Sequence, residues 1–225
     1  MAKRPDIQAV ERLIFDQTNA FRNANGRGQV KRDDRLNRVA RSYARFLART
    51  GRFAHTADGR KPADRVVAGG YDYCQVAENL ALHLDSRGFS TPQLARKAIE
   101  GWKKSPGHRR NMLAPHVTEL GVGVAKTKGK EQYISVQVFA RPRAASYEFR
   151  VSNGSDTTIF YSTDAQGFTL RPNELATHGV CLPTGIAFHE RSARGASLGR
   201  FRARRGDIFT VAPRPGGGLR VLRQR

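Results

Sequence analysis

The period of the hydrophobic pattern changes once along this chain and does not change back. Between Asp33 and Gly51 the apolar residues Leu36, Val39, Ala40, Tyr43, Phe46 and Leu47 recur at three- and four-residue steps, the spacing of one helix face. Beyond it, GVGVA and QYISVQVF alternate with period two, and the stretch from Lys126 to Lys130, with Gly129, reads as the hairpin joining them. Helices therefore come first and a small antiparallel sheet follows, which predicts a layered α+β domain.

Local signals fill in the helical part. Val10, Leu13, Ile14 and Phe21 form a first stripe, and NANGRG is a loop. Asp33 or Asp34 caps the second helix and Gly51 ends it. Pro62 opens a short helix that stops at Gly69 and Gly70. Ser90 or Thr91, before Pro92, opens another with the stripe Leu94, Ala95, Ala98, Ile99 and Trp102. Ser105 and Pro106 break it, and one helical turn is predicted from Gly107 to Leu113. After Arg141-Pro142-Arg143 no helical stripe survives. YEFRV, TTIFYS, FTLRP, GIAF, LGRFRA, DIFTV and LRVL are short alternating runs separated by SNGSD, DAQG and RPGGG. The predicted division is 1–143 for the α+β domain and 144–225 for a small all-β domain, a sandwich or a barrel-like fold. All nine lysines precede that border.

The formal net charge of +21, from 40 basic and 19 acidic residues, favours polyanions such as nucleic acid, anionic lipid, lipopolysaccharide or teichoic acid. Most of the basic residues are arginine and they are scattered, a pattern that genome composition and solubility also produce without a binding stripe. Arg200, Arg202, Arg204 and Arg205 are the local exception, expected on one strand face and able to meet an anionic envelope. The two cysteines, Cys74 and Cys181, have no metal-site spacing; they pair in an oxidising compartment or stand as two thiols. No stretch of 18 apolar residues is present, which excludes a membrane-spanning helix. MAKRPDIQAVERL has no apolar leader core, so the chain is cytosolic or its signal peptide is expected to have been replaced by a start Met.

Three segments set polar residues beside apolar ones. His55 sits in FAHT after the second helix, Glu78 in VAENLA, and His108 in SPGH at the start of a helical turn. The positive end of a helix disfavours imidazolium, so His108 is expected neutral, as a metal ligand or a general base must be. Glu78 in an apolar run needs a partner, a histidine or backbone amides.

These three segments in this order resemble the CAP superfamily, the SCP-like domains of cysteine-rich secretory, antigen 5 and pathogenesis-related 1 proteins. In that family a histidine follows the second helix, a glutamate sits in a G-E-N-L or A-E-N-L strand, and a second histidine lies in a G-H motif after a tryptophan. Asn19 and Arg22 also fit its first helix, and SPGHRRNMLAPHVTELGVGVA is similar to its bacterial branch. The resemblance covers about residues 10 to 140 and implies an α-β-α sandwich with a central antiparallel sheet and an accessible groove. It makes His55 and His108 candidate ligands of a weakly bound zinc or other divalent metal. Many eukaryotic members carry a further glutamate three residues after the tryptophan; here that place, after Trp102, is Ser105. Glu119 is the available substitute.

The reading that follows is a secreted or periplasmic protein binding a lipid, glycan or peptide in a His/Glu cleft at the cell envelope. It is more a binder than an enzyme, because the acid set is incomplete. One alternative is a weak metal-dependent, peptidase-like hydrolase, with Glu78 as base for water held between His55 and His108. The other is a charge-driven polyanion binder, with nucleic acid disfavoured because no motif supports it.

Overall fold

A computed structural model describes residues 4–190 and 195–225. The chain forms two compact units, 1–144 and 145–225. Neither cysteine is a free thiol: both Cys74 and Cys181 are disulfide-bonded.

The first unit contains helices α1 (Ile7–Ala24), α2 (Asp34–Thr50), α3 (Pro62–Ala68), α4 (Thr91–Lys104) and α5 (Pro106–Met112). Its strands are β1 (Lys31–Arg32), β2 (Tyr73–Leu84), β3 (Glu119–Lys126) and β4 (Gln132–Pro142), in the sheet order β1-β3-β4-β2. β2, β3 and β4 are antiparallel, while the two-residue β1 runs parallel to β3, a departure from the all-antiparallel expectation. One sheet face packs on α1, α4 and α5 through Val10, Ile14, Ile99, Trp102, Val122 and Phe139. The other packs on α2 and α3 through Leu36, Ala40, Leu47, Val66, Val136 and Val138. This is the α-β-α sandwich that the family resemblance implied.

The predicted boundaries rest on visible bonds. Asp33 accepts from the backbone N–H groups of Arg35 at 2.9 Å and Leu36 at 3.0 Å, and Gly51 closes α2 at φ 69°. Ser90 and Gln93 form a reciprocal capping box on α4. The alternation in GVGVA has a packing cause. Val122 and Val124 enter the α1/α4 core, and the glycines face α2 at backbone distance. A Cβ on Gly121 would lie 2.1 Å from the Leu36 carbonyl carbon, and one on Gly123 2.2 Å from the Arg41 nitrogen.

The second unit holds β5 (Tyr147–Asn153), β6 (Ile159–Thr163), β7 (Gly167–Leu170), β8 (Leu175–Val180), β9 (Gly185–Glu190), β10 (Ser197–Arg202), β11 (Ile208–Pro213) and β12 (Leu219–Gln224). They form two four-stranded sheets, β10-β9-β6-β7 and β12-β11-β5-β8. Phe149, Phe209 and Val211 from one sheet and Tyr161, Ile186 and Phe188 from the other share one core, so the unit is a sandwich. β10 carries only Arg200 and Arg202 on an exposed face. Arg204 and Arg205 fall instead in the following turn, where the Arg204 N–H donates to the Asp207 carboxylate at 2.7 Å and Gly206 takes φ 78°. The expected row of four is therefore a row of two. Among the described residues no helix is long and apolar enough to cross a membrane.

Candidate functional site

The loop after α2 is held by one buried tyrosine. The Tyr43 hydroxyl donates to the Ala54 carbonyl at 2.5 Å and accepts from the Ala57 N–H at 3.1 Å, clamping the backbone on both sides of His55. The imidazole is left half in solvent, with 49% of the side chain exposed. Its Nδ1 meets Glu78 Oε1 at 2.8 Å. A carboxylate on Nδ1 fixes the ring and leaves Nε2 as the outward donor atom.

Glu78 points from the middle of β2, and only 2% of its side chain is exposed. A buried carboxylate requires cations or donors. Arg65 of α3, itself 5% exposed, supplies them: Nη2 lies 3.0 Å from Oε1 and 2.9 Å from Oε2. The same Nη2 donates to the His55 carbonyl at 2.9 Å, and Nη1 donates to Asp58 at 2.8 Å and the Arg60 carbonyl at 2.8 Å. The Arg65 guanidinium carbon stands 3.4 Å from the centroid of the Tyr43 ring. Burial alone would raise the Asp58 carboxyl. The Arg60 N–H and the charges of Arg65 and Arg60 outweigh it and hold Asp58 below its ordinary value.

His108 arrives on α5, whose backbone is stitched to β2. Asn79 Nδ2 donates to the His108 carbonyl at 3.2 Å, while Asn111 Nδ2 donates to the Glu78 carbonyl at 3.2 Å and to Asn79 Oδ1 at 2.9 Å. On the far side, the buried Arg22 donates to the carbonyls of Met112 at 2.6 Å and Ala114 at 3.1 Å, fixing the end of α5. Burial, and secondarily the charge of His55, hold the His108 imidazole below its ordinary pKa. Its ring nitrogens have no hydrogen-bond partner among the described residues.

The structure thus joins His55 directly to Glu78 and ties His108 to the same stretch of β2 through Asn79 and Asn111. Other residues singled out in the sequence lie elsewhere. Glu119 accepts from the buried Tyr71 hydroxyl rather than completing an acid set. Ser105 is the cap shared by α4 and α5. Trp102 is core, with Nε1 donating to the Leu80 carbonyl at 3.0 Å. Arg65 escaped the sequence reading. Its one signal was a charge inside PADRVVA, next to the apolar pair Val66 and Val67, where a charge that packs inward must find a partner.

Two imidazoles fit a divalent ion by donor chemistry: Nδ1 of His55 is occupied by a carboxylate, and His108 is biased to its neutral form. Among the described residues no group of three or more His, Cys, Asp or Glu converges on a metal position.

The model of the cysteine-rich secretory protein family, CAP, matches residues 15–139. The chain belongs to that family. It is 29% identical over 122 residues to the uncharacterized protein YkwD of Bacillus subtilis, a match that covers 54% of this chain and 44% of that protein. It is 29% identical over 126 residues to the uncharacterized membrane protein YlbC of the same organism, covering 55% and 34%. The chain spans less than half the length of these curated relatives. Among solved structures, an outer surface protein of Borrelia burgdorferi matches with a TM-score of 0.54 and 20% identity, over 63% of this chain and 99% of that one. An extracellular protein containing an SCP domain from Bacillus anthracis matches with a TM-score of 0.51 and 26% identity, over 60% and 41%.

Proposed function

We propose that this protein is a secreted or periplasmic binding module whose His55–Glu78–His108 site holds a lipid, glycan or peptide ligand at the cell envelope, directly or through a weakly held divalent ion. The observation that carries the reading is the commitment of Glu78. A general base needs a free lone pair beside the attacking water. Both Glu78 oxygens face Arg65, one also meets His55, and the side chain is sealed from solvent. Glu78 is therefore a positioning residue for His55. The two disulfide-bonded cysteines fit an oxidising compartment.

When bound, zinc would supply a Lewis-acidic point of attachment for a ligand oxygen. His55 and His108 would hold it, and Glu78 would orient the first of them. Zinc titration of the wild type and of a His55→Ala/His108→Ala variant checks this, with binding expected only in the wild type; equal affinities would sink the metal site. Glu78→Gln is expected to weaken zinc about 10- to 100-fold, the usual loss when a ligand histidine's carboxylate partner is removed. The hydrolase alternative predicts peptide turnover that vanishes in Glu78→Gln, and such turnover would displace the binding reading.

A further inference from the structure

A concavity of about 510 Å³ lies between α2 and α3, and none of His55, Glu78 and His108 lines it. Its wall carries Arg38, Arg45, Arg49, Arg60 and Arg65 against a single carboxylate, Asp58. Asp58 is bound by Arg60 at 3.2 Å and Arg65 at 2.8 Å, and Arg65 also pairs with Glu78, so these two cations are compensated. Arg38, Arg45 and Arg49 are not. They come from α2 at steps of seven and four residues, one helical stripe, and all three are exposed. Arg38 and Arg45 have no hydrogen bond or ion pair among the described residues, and Arg49 rests over the Phe46 ring at 5.8 Å.

Arg65 adds an independent sign. Its Nη atoms are fully engaged, yet among the described residues its buried Nε has no hydrogen-bond partner. Arg65, one of the lining residues, thus keeps one guanidinium donor without an acceptor among the described residues. A neighbouring concavity of about 280 Å³ shares Arg45 and Arg49 and adds Lys126 and Lys128. The basic groups therefore continue along α2 toward the β3–β4 turn, with Glu131 compensating Lys126.

We infer that the α2–α3 concavity is an oxyanion site that takes a phosphate group. Planar guanidinium forks match the several oxygens of a phosphate, which a single carboxylate cannot supply to three arginines at once. Two adjoining basic concavities suit phosphates repeated along a polymer, and one alone suits free phosphate. This inference does not rest on the His55–Glu78–His108 reading.

The test is calorimetric titration at fixed ionic strength with inorganic phosphate and with a glycerol phosphate oligomer, using the wild type and Arg38→Gln/Arg45→Gln. Both replaced side chains are exposed and have no partner among the described residues, so the variant is expected to keep its melting temperature. Phosphate affinity should fall about tenfold or more, the loss of charge-assisted hydrogen bonds. The Arg65 Nε–H resonance should shift on saturation with phosphate. An oligomer that binds about tenfold more tightly than inorganic phosphate assigns the site to a polymer, and equal binding assigns it to free phosphate. Equal phosphate affinity in variant and wild type, or a static Arg65 resonance, overturns the proposal.

Discussion

Gly123→Ala is expected to cost the first unit about 3 kcal/mol or more, and Gly121→Ala a similar amount, because in each case the new methyl group meets helix backbone rather than a movable side chain. Overpacked cores usually relax by rotating side chains. Here the atoms within 2.5 Å of the added carbon are the backbone of Leu36 and Asn37 for Gly121, and of Ala40 and Arg41 for Gly123. Relief requires α2 to lift off β3, which opens the core containing Leu36, Ala40 and Val136. That loss is a large share of the ~5–15 kcal/mol by which domains are usually stable. Gly101→Ala supplies the control. Gly101 lies on the exposed side of α4 with nothing within 4 Å of its added carbon. Removing a glycine from a helix interior there should raise stability by about 0.5–1 kcal/mol. Urea unfolding of the three variants checks both signs. Gly121 and Gly123 variants as stable as the wild type would show that α2 does not approach β3 this closely.

Those glycines mark how far the sequence could be read. GVGVA announced a strand by its period, but the glycines became explicable only once α2 was seen lying across them. α1, α2 and α4 were legible because each carried its own stripe, and α3 because Pro62 and Gly69 bound it, signals that are local. β1, two exposed basic residues, and β8, whose Leu175 faces solvent, lacked the apolar alternation that marks a strand. β5 pairs in parallel with β11, a partner that no local pattern names. The site divides in the same way. His55, Glu78 and His108 were found through motifs in a recognisable order. Arg65 touches Glu78 across 13 positions through α3, and no motif announced it. Its role follows from burial: once Glu78 is sealed under the sheet face, something must balance it. The four-arginine row failed for a related reason, since spacing alone cannot show where β10 ends.

Arg65→Leu therefore tests the part of the site that sequence could not supply. The substitution keeps apolar bulk but leaves Glu78 and Asp58 short of their cation, and breaking a buried pair from one side costs about 3–5 kcal/mol. The pH dependence separates charge from packing. In the wild type Asp58 is held below its ordinary value, so its contribution is present above the unfolded carboxyl pKa of about 3.9 and is lost as pH falls through the lower folded value. In the variant the share of that depression supplied by Arg65 is gone. The gap between variant and wild type should thus narrow as pH falls below about 3.9. Adding Glu78→Gln should recover more than about 1 kcal/mol at about pH 7, since the amide needs no counter-ion. A gap that stays constant with pH, with no recovery in the double variant, would mean that Arg65 acts through its packing on Tyr43 and not by balancing the carboxylate that orients His55.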